Sequence, residues 1–230
     1  MTVPAGGEGT EALLRRVAAG RGYLLPHHRL LALHAPRALA AYDALYRSLT
    51  LEPRALPESS REAVWLALLA VRRKFSWRIH YERACAAGLD AAAVADALAL
   101  GAHALAEEIH DHGAAEWSAA VPAAALAATR ERVEAAARGT LPAAVAHLCL
   151  AAAHATRGYQ PGVRRHVVAA LAAGAQPAEV AEALSFVLLE CGANALIEAT
   201  DTWLAAARAG ECPPPYDQIE SRARPDGREE

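Results

Sequence analysis

His80 and His166 are the residues of this chain best suited to proton chemistry, and they stand at matching places in two similar stretches. An imidazole has an ordinary pKa near 6.5 and can both take and give a proton near neutral pH. With the first half of the chain shifted by 86 positions, His80 falls on His166, Gly88 on Gly174, Val94 on Val180 and Trp117 on Trp203. Many other identities in this stretch are alanines and carry little weight, but the His, Gly and Trp matches at one constant offset point to an internal repeat. Upstream the offset becomes 85, which lays Leu56 and Pro57 on Leu141 and Pro142, and Glu62 on His147. The offset thus matches the His80 position with His166 and the Glu62 position with His147. A glutamate exchanged for a histidine makes the two stretches chemically unequal.

Two other groups of residues suggest chemistry. His103, Glu107 and His110 are spaced i, i+4, i+7 on one helix face, followed by His112, a spacing that can supply metal ligands. Their repeat mates are Leu189, Ala193 and Leu196, so neither copy carries a full set on that face. A solvated or inter-subunit polar face is expected there, and no bound metal. The four cysteines, at 85, 149, 191 and 212, contain no CxxC pair and are expected to be reduced thiols. Arg78 and Arg164 sit two positions before each His, about 200° away around a helix, and should point elsewhere.

The elements that position these residues are helical. Hydrophobic residues make up 54% of the chain, much of them alanine, and aromatics only 5%; this favours helix over strand. Punctuation by Pro and Gly sets the boundaries. Thr10 should cap a helix stopping at Gly20. A second region runs over about 27–49, with Pro36 opening its main helix. An apolar helix follows Pro57 to about Arg72, then one over about 75–87 ending at Gly88. Asp90 caps a long helix towards His112, which Gly113 can end. After Pro122 a helix ends at Gly139, and Thr140 and Pro142 open another that ends near Gly158. The next stops at Gly174, one from Pro177 reaches Cys191, and a last covers about 194–208. Ser59-x-x-Glu62 fits a capping box, which would explain Glu62 without any chemistry.

The run S-S-R-E-A-V-W-L-A-L-L-A-V-R-R, the motif W-x-x-H-x-x-x-A-x-x-A-G-L and the long helix after it resemble the carboxymuconolactone decarboxylase and alkylhydroperoxidase-D-like superfamily. The stretch P-H-H-R-L-L-A-L-H-A-P resembles its N-terminal region. The resemblance covers residues 24–117 well and 141–204 more loosely. It implies an all-α protein of two tandem modules, usually oligomeric, with a site where helices of two modules meet. One branch of the superfamily reduces peroxides through C-x-x-C-x-x-x-H. Here the two cysteine positions hold Arg73 and Ser76 before His80, and Tyr159 and Gly162 before His166, so dithiol chemistry is not expected. The other branch, the lactone decarboxylases, keeps the His alone. By this resemblance His80 is the general acid/base, Glu62 its partner, His166 and His147 their counterparts, and Trp77, Arg73 and Ser76 the substrate-side residues.

A formal charge of −3 leaves no basic footprint for nucleic acid. The longest wholly apolar run, Ala63 to Val71, is less than half the roughly 20 residues of a membrane span. A cytoplasmic homo-oligomer acting on a small molecule is expected, with no cofactor, no membrane and no nucleic-acid partner. The expected divisions are an N-terminal segment (1–22), a first module (23–121), a diverged second module (122–210) and a disordered tail (211–230). The favoured function is a lyase or isomerase on a small carboxylate or lactone. The alternatives are a peroxidase-like oxidoreductase using Cys85 or Cys149 out of register, or a non-catalytic ligand-binding or assembly module.

Overall fold

A computed structural model describes residues 9–74, 76–117 and 119–216. The predictions for residues 1–8 and for 217–230 of the expected tail, and the expected helix start at Phe75, lie outside these. The described residues form helices joined by short turns, with no strand among them. The all-α expectation holds.

The chain divides into two compact units, Met1–Glu52 and Pro53–Glu230. This boundary differs from the division expected at 22/23: residues 23–52 group with the N-terminal unit, and the stretches matched by the offset lie inside the second unit.

The first unit contains α1 (Thr10–Arg21), α2 (Pro26–His34) and α3 (Pro36–Thr50). Leu13, Val17, Ala32 and Leu39 form its core. Arg21 is buried beside Asp43, Nε to Oδ1 at 3.0 Å, and its guanidinium lies over the Tyr46 ring at 3.9 Å. Such a charge is tolerated inside because it is paired and stacked. Helix α1 ends at left-handed Gly22 rather than at Gly20.

The second unit is built around two helices that are apolar on nearly every side, α4 (Glu58–Arg72) and α8 (Ala143–Arg157). A helix apolar all round belongs in an interior, and these two are buried from Arg61 to Leu69 and from Leu148 to Thr156. Around them pack α5 (Trp77–Ala86), α6 (Ala91–Trp117), α7 (Ala123–Arg138), α9 (Gln160–Ala172), α10 (Pro177–Ser185), α11 (Val187–Glu190) and α12 (Ala193–Arg208). Small side chains let the backbones approach: a Cβ on Gly101 of α6 would lie 2.7 Å from the Ala67 carbonyl oxygen of α4.

The two stretches that the offset sets in register use the same devices. Pro57 and Pro142 precede α4 and α8, and Gly88 and Gly174 turn the chain at φ 91° and 98°. Glu182 on α10 accepts hydrogen bonds from the Ala55 and Leu56 amides, at 2.6 and 2.8 Å, where the chain enters α4. Its repeat mate Asp96 on α6 accepts from the Thr140 amide at 2.7 Å and the Thr140 hydroxyl at 2.8 Å, where the chain enters α8. Each copy thus ties down the entry to the other copy's central helix.

Three local expectations are corrected. Helix α4 starts at Glu58, with Pro57 as its N-cap and no side-chain cap, so the Ser59–Glu62 capping box does not form. Gly113 does not end α6, which continues to Trp117. The helix expected from Pro177 to Cys191 is broken at Phe186, where the hydrogen bonds tighten to the i→i+3 pattern from Phe186 to Ala183 and from Leu189 to Phe186. Asp90 does cap α6, its Oδ1 accepting from the Ala93 amide at 2.8 Å.

Candidate functional sites

The first site is made by the reversal from α4 to α5. Arg73 ends α4 at φ 53°, a left-handed conformation unusual for a residue with a Cβ. The turn brings the first turn of α5 back against the start of α4. Glu62, one turn into α4, is 0% exposed, and its Oε2 lies 2.8 Å from Nδ1 of His80, itself 5% exposed. Without a capping box to serve, Glu62 is free for this contact. Arg61 Nε stands 3.5 Å from the other carboxylate oxygen. Trp65, one turn further along α4, stacks on the His80 ring at 4.8 Å, and Phe186 stacks on Trp65 at 4.7 Å. The Nδ1–H of a neutral His80 donates to Glu62, which leaves Nε2 as the basic nitrogen.

The predicted substrate-side residues are more exposed than this pair. Trp77 is 51% exposed and meets Tyr81 edge-on, Arg73 is exposed, and Ser76 is half-buried with no capping bond. Arg78 and Arg164 point away as expected, to Glu82 and Glu211. A cavity of about 300 Å³ opens at the starts of α4, α6 and α8, lined in part by Ser59, Ser60, Asp90 and Thr140, and neither His80 nor Glu62 lines it.

In the second site His147 and His166 meet through their Nδ1 atoms at 3.1 Å. Further residues crowd around them. Oε2 of Glu107, on α6, lies 2.7 Å from Nε2 of His166 and 2.6 Å from Nε2 of His154. All three residues are 0% exposed, and the His154 and His166 rings are parallel within 4°. Arg165 Nη1 donates to Glu107 Oε1 at 3.0 Å, and its Nη2 to Asp111 at 2.7 Å. Asp111 also accepts from the Tyr159 hydroxyl at 2.6 Å and pairs with Arg130. Glu134 on α7 stands 3.6 Å from His147. Burial alone would raise the Glu107 carboxyl, but the His154 and His166 hydrogen bonds overcome it and hold the group well below the ordinary range. Burial pushes His103, His147 and His166 below the usual imidazole value and Glu134 above the usual carboxylate one.

Gly162 explains part of this geometry. It occupies one of the cysteine positions of the resemblance, and a Cβ there would lie 2.4 Å from the His154 ring. The ring fills the space a side chain would need.

The sequence singled out His103 and Glu107 but sought their partners on the same face and in the repeat mates. The partners come instead from α7, α8 and α9, and His110 is not among them. His154, Arg165, Glu134 and Asp111 were missed. One signal was present: His147 and His154, seven apart, put two imidazoles on one side of an otherwise apolar helix.

The thiols give no site. Cys149 is buried, and burial pushes it up to about 12; burial also raises Cys191 and Cys212, while Cys85 is exposed.

No family model matches this chain, and no curated protein does. A crystal structure from Burkholderia xenovorans LB400, of a protein provisionally named a gamma-carboxymuconolactone decarboxylase subunit, is similar in fold. The TM-score is 0.57 at 19% identity, over 87% of this chain and 98% of that one. The chain therefore has the helical fold of that protein, as the motifs around His80 implied. Among the described residues no single helix is long and apolar enough to cross a membrane.

Proposed function

We propose that this chain is a carboxymuconolactone-decarboxylase-like lyase or isomerase, acting on a small carboxylate or lactone with His80 as general acid/base. The observation that carries the reading is the buried pair His80 Nδ1 and Glu62 Oε2 at 2.8 Å. Glu62 fixes the tautomer in which Nε2 is free to take a proton, and its charge stabilises the imidazolium that forms. The stacked Trp65 holds the ring in place. In a double-bond shift, Nε2 removes a proton beside the carbonyl and returns it to the other end of the enolate. In a decarboxylation, the C–C bond breaks, CO₂ leaves, and the protonated Nε2 delivers its proton to the carbanion. Neither route requires a cofactor at His80. The fold shared with a protein of that name supports the reading, and the matched entry contacts of Glu182 and Asp96 support an origin by duplication.

The same reading proposes a closed homo-oligomer in the cytoplasm, since exposed Trp77, Tyr81, Ile109 and Trp117 suit burial against a second copy. Light scattering that gave the mass of a single 24.2 kDa chain at micromolar concentration would count against it.

The test is turnover of a carboxylate and lactone panel by wild type, His80→Gln and a cysteine-free variant, each checked by circular dichroism. His80→Gln should lose about 100- to 10,000-fold in rate, and the cysteine-free chain should stay active. Full activity in a folded His80→Gln chain would overturn the assignment.

A further inference from the structure

The buried cluster around Glu107 contains more donors than its hydrogen bonds use. His103 is 3% exposed, and neither ring nitrogen has a hydrogen-bond partner among the described residues. Nδ1 of His154 is also buried without one. A buried polar group left unpaired costs stability, so a purely structural network would be expected to close on itself or to replace these rings by leucine. The repeat does so elsewhere: the mate of His103 is Leu189, and His154 has Leu69 as its counterpart. The donor atoms of Glu107, His154 and His166 all lie within 4.8 Å of one another, as do those of His103, Glu107 and Glu134, and those of Glu134, His147 and His166. Glu107 belongs to two of these triplets.

We propose that Glu107, His154 and His166 bind a divalent transition-metal ion of the zinc type, with His103 supplying a further donor beside Glu107 and Glu134. Two imidazoles and one carboxylate form a donor set that zinc and its neighbours accept, and hard magnesium and calcium do not favour. The ion takes the place of the two N–H protons now directed at Glu107 Oε2; each ring then carries its proton on Nδ1 and binds as a neutral imidazole through Nε2. Zinc–ligand bonds of about 2.0–2.2 Å require these donors to separate by less than about 1 Å from their present 2.6 and 2.7 Å. Arg165 stays on Oε1 and fixes the carboxylate, and the Nδ1–H of metal-bound His166 donates to Nδ1 of His147, which fixes that ring. Glu134 offers a second carboxylate to balance charge. The helices that carry the cluster are α6 to α9, so the ion would tie the first repeat copy to the second. The site is separate from the His80 pair and does not depend on the function proposed for it.

The experiment uses the full chain, stripped with a chelator and titrated separately with Zn(II) by calorimetry and with Co(II) by visible absorption. The expected result is one tightly held ion per chain, ligand-field bands from Co(II), and a higher thermal midpoint with Zn(II). His154→Gln and Glu107→Gln, shown folded by circular dichroism, should weaken binding by at least about 100-fold, and the exposed His112→Gln should leave it unchanged. A stripped wild-type chain that takes up neither ion overturns the proposal without recourse to a variant. Binding that survives His154→Gln, or that is lost in His112→Gln, places the ion elsewhere and overturns it too.

Discussion

His147 stands against His166 where Glu62 stands against His80: two ring nitrogens face each other at 3.1 Å in one copy, a ring nitrogen and a carboxylate oxygen at 2.8 Å in the other. Two facing nitrogens need one donor and one acceptor. Nε2 of His166 donates to Glu107, so its Nδ1 accepts, and His147 donates from Nδ1. The second copy thus draws its carboxylate from α6 of the first copy, and the two sites differ in kind. One is a single imidazole among aromatic rings. The other is a polar cluster of several donors.

Glu62→Gln isolates the charge in the first site. The glutamine oxygen can still accept from Nδ1 of His80 but cannot stabilise the imidazolium. Because Glu62 is buried behind the ring, kcat should fall by about 100-fold or more with KM little changed. Steady-state kinetics on any substrate found by the panel checks this, and a change confined to KM would contradict it.

Gly162→Ala tests the packing of the second site. The new methyl would have to displace the His154 ring, which a Cβ would approach to 2.4 Å, in a region where both helices are buried. The expected loss is about 1–3 kcal/mol of stability by urea unfolding. Combining it with His154→Ala, which vacates the space, should recover part of that loss.

Acid should weaken the fold in two stages. Burial holds His28 down at about 4 and lowers His103, His147 and His166 from the ordinary 6.5. Below pH 6.5 the unfolded chain takes up protons that these folded histidines do not, so stability falls as pH drops towards their lowered values. Glu107, depressed in the fold, adds stability that is present above its ordinary 4.5 and lost only as pH falls beneath it. Glu134 acts in the opposite sense, because burial raises it. Urea midpoints at pH 7, 5.5 and 4 should decrease in that order.

Thiol labelling checks the oxidoreductase alternative. Exposed Cys85 should react first with a maleimide in the native state, and Cys149, pushed up to about 12 and fully buried, only on unfolding. Mass spectrometry of the labelled peptides reads the order. Fast native labelling of Cys149, together with peroxide consumption, would argue for thiol chemistry.

The sequence by itself determined the helical class, and its resemblance to the superfamily pointed to Glu62 as the partner of His80. The class follows from alanine content and from Pro and Gly punctuation, which act over short separations along the chain. Ser59 and Glu62 read falsely as a capping box, because such a box is a local pattern and the true N-cap of α4, Pro57, lies two residues before Ser59. Tertiary structure alone decided that α4 and α8 lie in one unit and that Glu107 lies between His154 and His166. It also brought Arg165, Asp111 and Glu134 to the same place. Residues 40 to 60 positions apart come together only when α6, α8 and α9 cross, and side-chain periodicity on any one helix carries no information about which face of another it will meet.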